Sequence, residues 1–78
     1  MEKDFESKVQ TIAKIIEDVT GTSADKIKAE SAFLDDLDLS SLEVLSIVAE
    51  IEKEYSVKIS EQELLSIRTV KELAEAIR

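Results

Sequence analysis

Ser40-Ser41-Leu42-Glu43 sets a hydroxyl three residues ahead of a carboxylate at the head of an apolar-periodic segment. In that spacing the hydroxyl caps the third helical amide and the carboxylate reaches back to the capping residue's own N–H. Ser40 thus takes the N-cap and Glu43 the third helical position, which leaves Ser41 at the first helical position with its hydroxyl outside the cap. A phosphate joined to that hydroxyl would lie over unpaired amides at the positive end of the helix dipole. The spacing therefore suits a phosphodiester on Ser41. Spacing alone more often describes an ordinary polar residue in a first turn, because capping boxes are common.

Other chemistries lack their residues. The 78-residue chain has no Cys and no His, which removes disulfide frameworks, thiolate and imidazole metal sites, and nucleophilic mechanisms that use an imidazole base. Asp36, Asp38 and Ser40 imitate the first ligands of a calcium loop, but Ser41 stands where the turn Gly belongs and Ile47 where the bidentate Glu belongs. Paired carboxylates for glycoside cleavage are plentiful, yet a bundle of this size offers no deep cleft in which to raise one carboxyl's pKa. Catalysis by the chain alone is not expected, and no metal site is.

Eighteen acids against ten bases give a net charge of −8, a balance that repels nucleic acid and anionic lipid and suits basic protein partners. The charge is concentrated. Between residues 29 and 57 stand Glu30, Asp35, Asp36, Asp38, Glu43, Glu50, Glu52 and Glu54 against Lys53 alone, while the rest of the chain is close to neutral. No apolar run approaches the ~18 residues that cross a bilayer, and no signal peptide is evident at the N-terminus. A cytoplasmic protein without membrane insertion, monomeric and forming one small domain over residues 1–78, is the expectation.

The elements that must position Ser41 are helical. Phe5, Val9, Ile12, Ile16 and Val19 recur at steps of 4, 3, 4 and 3, an apolar stripe on one helix face. Gly21 ends that helix as a left-handed C-terminal cap. Residues 22 to 39 have no sustained period, but Ile27, Phe33 and Leu37 look like anchors of a long, ordered loop, and the Thr22/Asp25 spacing suggests one short capped turn within it. Helix two runs from Ser41 to about Tyr55, with Val44, Ile47, Val48, Ile51 and Tyr55 on its core stripe. Ser60 with Glu63 and Thr69 with Glu72 repeat the capping box. They begin a short helix carrying Leu64, Leu65 and Ile67, and a last helix presenting Val70, Leu73, Ala74 and Ile77 inward. The fold class is all-α, a four-helix bundle. Beside the core stripe of helix two lie Leu42, Leu45 and Ala49, so that helix is either central and buried all round or shows an apolar patch beside Ser41.

The segment Phe33-Leu34-Asp35-Asp36-Leu37-Asp38-Leu39-Ser40-Ser41-Leu42-Glu43 resembles the signature of the acyl carrier protein family, in which Phe, a Leu, a Gly and then Asp-Ser-Leu precede helix two. The likeness continues through Glu52-Lys53-Glu54-Tyr55, Val57-Lys58-Ile59-Ser60 and Thr69-Val70, and so covers roughly residues 5 to 77. The resemblance implies that a phosphopantetheinyl transferase moves phosphopantetheine from coenzyme A onto Ser41, and that acyl groups ride as thioesters on the arm's thiol. The missing Cys then has a reason, because the sulfur arrives with the arm. The resemblance further implies a recognition face of Asp36, Asp38, Glu43 and Glu50 toward basic patches on acyl-transferring or acyl-modifying enzymes of fatty-acid, lipid or polyketide-type biosynthesis, with Leu42 and Leu45 at the contact centre. A shelter for the acyl chain between helices is a further possibility of the family.

Three positions depart from the family pattern. Ser40 replaces the usual Asp before the modified Ser, Asp38 takes the usual Gly position, and Ser46 stands where a helix-two Glu is common among fatty-acid carriers. These changes point to a specialised carrier. A D-alanyl or peptidyl carrier would share fold and arm, although the lead-in Asp38-Leu39-Ser40 lacks the Gly-rich character of peptidyl carriers. An unmodified acidic interaction module is the other alternative.

Overall fold

Three hydroxyls and three glutamates start three of the four helices. In a computed structural model that describes the backbone of residues 2–77 and the side chains of residues 5–77, Ser40, Ser60 and Thr69 each accept the N–H of the Glu three positions on. The Glu43, Glu63 and Glu72 carboxylates return the bond to the N–H of the capping residue. Each cap stabilises its helix by about 1 kcal/mol, which counts heavily for helices too short to hold together alone. The helices are α1 (Glu2–Thr20), α2 (Ser41–Tyr55), α3 (Glu61–Ser66) and α4 (Val70–Ala76). No strand occurs among the described residues beyond a single antiparallel bridge between Ala32 and Thr69.

α1 packs against both α2 and α4. The centre of the core is Ile12 and Ile16 of α1, Ile47 and Ile51 of α2, Val70 and Leu73 of α4, and Phe33 from the loop, all fully buried. Of the residues expected inward on the last helix, Val70, Leu73 and Ala74 are buried within α4 and Ile77 is buried just beyond it, at the C-cap. The α1 stripe holds at Ile12 and Ile16 and loosens toward both ends: Phe5 and Val9 are half-buried and Val19 is exposed. Ala13 is buried in addition, because α1 faces two helices and its buried face is wider than one stripe.

Gly21 caps α1 as its type and position predict, with φ +83° and its N–H on the Glu17 carbonyl at 2.8 Å, a single bond of the left-handed C-terminal kind. The connection to α2 is ordered. Ile27 and Phe33 are buried anchors, Leu37 is half-buried and packs against the core as a third, and Leu39 is a further buried anchor that the spacing did not suggest. The short turn does form, as a 3-10 helix at Ala24–Lys26, but its N-cap is Ser23 and no side-chain cap is made. The Thr22 hydroxyl is instead within 3.1 Å of the Thr20 hydroxyl, whose oxygen accepts the Thr22 N–H at 3.2 Å and whose proton has the Ile16 carbonyl at 2.8 Å. Backbone bonds tie the loop to the head of α4: Phe33 N–H to the Arg68 carbonyl at 2.9 Å, Val70 N–H to the Ser31 carbonyl and Lys71 N–H to that of Ala29. At the far side Lys8 Nζ donates to the Ile77 carbonyl at 3.0 Å and joins α1 to the end of α4.

Candidate functional site

The chain enters α2 through a closed turn. The N–H groups of Asp36 and Leu37 both donate to the Ala32 carbonyl at 3.0 Å, and Asp36 Oδ2 accepts the Ala32 N–H at 2.8 Å. Phe33 then accepts from Leu39 N–H through its carbonyl. With Phe33 and Leu39 both buried, the turn is anchored on either side of an exposed crest, Leu34, Asp35, Asp36 and Asp38. Asp38 has φ +53°, in the left-handed region that glycine reaches without steric cost. This is the position where the resemblance expects Gly, so the backbone shape is kept and Asp38 bears the strain.

Ser40 has extended backbone at φ −82° and ψ 164° and its Oγ accepts the Glu43 N–H at 3.2 Å, while Glu43 Oε1 accepts the Ser40 N–H at 2.8 Å. Val44 N–H reaches the Ser40 carbonyl at 3.0 Å. The N–H groups of Ser41 and Leu42 have no partner among the described residues, and neither does the exposed Ser41 hydroxyl. A free hydroxyl, two free amides and the positive end of a 15-residue helix therefore meet at one surface point, which suits an attached anion.

Both apolar alternatives for α2 are resolved by burial. Ile47, Val48 and Ile51 lie in the core, whereas Leu42 is 76% exposed and Leu45 49%, and Ala49 is exposed too. The patch beside Ser41 exists. Across from it Leu34 and Leu65 are 59% and 80% exposed. Between these walls runs a groove of about 520 Å³, lined by Ser41, Val44 and Leu45 of α2, by Leu64 and Leu65 of α3, and by the loop before α2 and the Ile67-Arg68 turn. Ser41 thus lines a groove whose walls are mostly apolar.

The acidic residues expected to act together do not have the same standing. Asp36, Asp38 and Glu50 are exposed, while Glu43 is half-buried and committed to the cap through one oxygen. Leu34, Leu65 and Arg68 were not singled out by sequence reasoning as parts of the site. Leu64 and Leu65 are adjacent on a helix and cannot both face inward, a signal that one of them is exposed. Glu52 also has a structural role beyond its charge. Its Oε2 accepts the Ile59 N–H at 2.8 Å and fixes the approach of the chain to α3. No helix among the described residues is long and apolar enough to cross a membrane.

The family model described as "Phosphopantetheine attachment site" matches residues 10–77. The chain is 42% identical over 67 residues to the meromycolate extension acyl carrier protein of Mycobacterium leprae, covering 86% of this chain and 58% of that protein. It is 39% identical over 67 residues to the protein of the same name from Mycolicibacterium aurum, covering 86% and 69%. An acyl carrier protein of Rhodococcus erythropolis is 32% identical over 70 residues, covering 90% of this chain and 77% of its own. The chain therefore spans less than two thirds of the length of its Mycobacterium leprae relative.

Proposed function

Since the chain belongs to the acyl carrier protein family, whose members bear a phosphopantetheine attachment site, we propose that Ser41 is the attachment residue and that the protein carries acyl intermediates for partner enzymes of lipid biosynthesis. When bound, the arm supplies the thiol that this Cys-free chain lacks, and acyl groups are held on it as thioesters. The residues of the chain do the rest. Ser40 and Glu43 satisfy the helix start between themselves and leave the Ser41 hydroxyl accessible to a transferase that provides the base. The unpaired Ser41 and Leu42 amides stabilise the phosphodiester that forms on Oγ.

Beside it, the groove between α2 and α3 offers an apolar shelter for an acyl chain. Outside it, Asp36, Asp38 and Glu50 present carboxylates to basic partner surfaces, and Leu42 and Leu45 supply the apolar centre that such a contact needs. The chain acts as a substrate-bearing partner rather than as an enzyme, in the cytoplasm, where coenzyme A is available.

A specialised carrier role rests on two observations: the departures at Asp38, Ser40 and Ser46, and relatives whose names specify extension of meromycolate. We propose on that basis an acyl cargo that is extended while it rides on the carrier. The observation that carries the assignment of Ser41 is its unpartnered, exposed hydroxyl at the first position of α2. The test is to incubate the protein with coenzyme A and a broad-specificity phosphopantetheinyl transferase and to weigh it intact. Wild type gains one arm and Ser41→Ala gains none. A wild type that gains nothing, or a Ser41→Ala chain that still gains the arm, overturns the assignment.

A further inference from the structure

The groove beside Ser41 contains one cation. Of the residues that line it, Asp35 and Arg68 alone are charged, and the remaining walls are apolar apart from Ser41 itself. The backbone of Arg68 is clamped on both sides: its N–H donates to Glu72 Oε1 at 2.8 Å and its carbonyl accepts the Phe33 N–H at 2.9 Å. Its guanidinium, by contrast, makes no hydrogen bond or ion pair with any described residue. Neither neighbouring carboxylate occupies it. Glu72 is turned to the Arg68 and Thr69 amides, and Asp35 is exposed on the crest of the turn. The structure thus combines a fixed Cα with a long, free, permanently charged fork in an otherwise acidic and apolar neighbourhood.

We infer that Arg68 is a positioning residue which pairs with the phosphodiester on Ser41 across the mouth of the groove and thereby directs the arm along its apolar walls. The inference rests on Ser41 being the attachment residue. A phosphodiester at Ser41 brings a negative charge close to Asp35, Asp36, Asp38 and Glu43, so it is repelled by most of its surroundings. Arg68 is the one charged group lining the groove whose sign compensates it. Guanidinium donates to phosphate oxygens through two parallel N–H groups, which fixes direction as well as distance. Lysine, a point charge, lacks that directional fork. The pair lies at the surface, so it weakens as salt screens it.

The test uses the protein bearing its arm. Nε–H of Arg68 is followed by nitrogen-15 NMR in the apo and loaded forms at low and at high salt, and the phosphorus-31 resonance of the arm is compared in wild type, Arg68→Lys and Arg68→Gln. The expected result is an Arg68 Nε–H shift on loading that fades in about 1 M salt, where the screening length falls to roughly 3 Å. A phosphorus resonance displaced in Arg68→Gln and partly restored in Arg68→Lys is expected beside it. Contacts between arm protons and the Leu45 and Leu65 methyls should fall about two- to fivefold in Arg68→Gln, the fold-change of a surface pair. Loading of wild type and variants with unchanged Arg68 and phosphorus resonances overturns this inference alone. A wild type that takes no arm, or one loaded elsewhere than Ser41, overturns both this and the assignment of Ser41.

Discussion

Ser40 and Glu43 satisfy each other and leave Ser41 out: the Ser40 hydroxyl accepts the Glu43 N–H at 3.2 Å and the Glu43 carboxylate accepts the Ser40 N–H at 2.8 Å. Two adjacent serines with the same side chain are thereby separated in role by one position along the helix. Ser40→Ala removes the cap and should lower stability by about 1 kcal/mol. Ser41→Ala touches no hydrogen bond and should stay within about 0.5 kcal/mol of wild type. Urea unfolding of the pair measures both, and equal losses would contradict the separation. Glu43→Gln, which preserves the reciprocal cap, should keep stability while Glu43→Ala lowers it.

The left-handed positions predict an opposite pair of effects. Asp38 at φ +53° and Ser56 at φ +54° carry side chains where glycine fits best, and Gly21 at φ +83° is the reverse case. Asp38→Gly and Ser56→Gly should each raise stability by about 0.5–1 kcal/mol. Gly21→Ala should lower it by about 1 kcal/mol for backbone reasons alone, because nothing lies within 4 Å of a methyl group built there. Thermal unfolding midpoints decide it, at roughly 4–8 °C per kcal/mol in a domain of this size.

Core and patch leucines and isoleucines should part company. Ile51, fully buried in the core, should cost about 2–5 kcal/mol when cut to Ala, a large share of the stability of any small domain. Leu45→Ala should cost well under half of that, because half of the side chain is already in water. Its effect should appear in the affinity of partner enzymes instead. Comparable losses of stability at both positions would mean that the patch is structural.

Association with a basic partner should slow as salt rises. Exposed charges are screened beyond about 8 Å at physiological ionic strength, and steering by an acidic face contributes roughly tenfold or more to the rate at low salt. Stopped-flow association of wild type and of Asp36→Asn/Glu50→Gln should show the slope shrinking in the double variant. A rate that ignores salt would remove the acidic face from recognition.

Local signals were legible because they act within one turn of chain. The three capping boxes, the Gly21 cap and the inward residues of α4 follow from spacing alone, since each is a bond or a face between residues three or four apart. The fold class and the free hydroxyl of Ser41 come from the same source. Errors appear where a residue's fate depends on a distant element. Val19 is exposed at the end of α1 although it continues the stripe, and Leu39, beyond the left-handed Asp38, is buried more deeply than Leu37. Thr22 makes no cap because the short turn starts one residue later, with Ser23 at its N-cap.

Sequence by itself determined that four helices form, that three of them start at capping boxes and that α1 ends at Gly21, that α2 is apolar over more than one face, and that Ser41 stands free at its head. Only the tertiary structure decided which apolar residues of α2 stay exposed, that Leu34 and Leu65 complete a groove with Leu45, and that Arg68 reaches the same groove as Ser41. The reason is one of range. Capping and amphipathic faces are set by neighbours in the chain, whereas a groove exists only once packing has brought segments from residues 32 to 68 together.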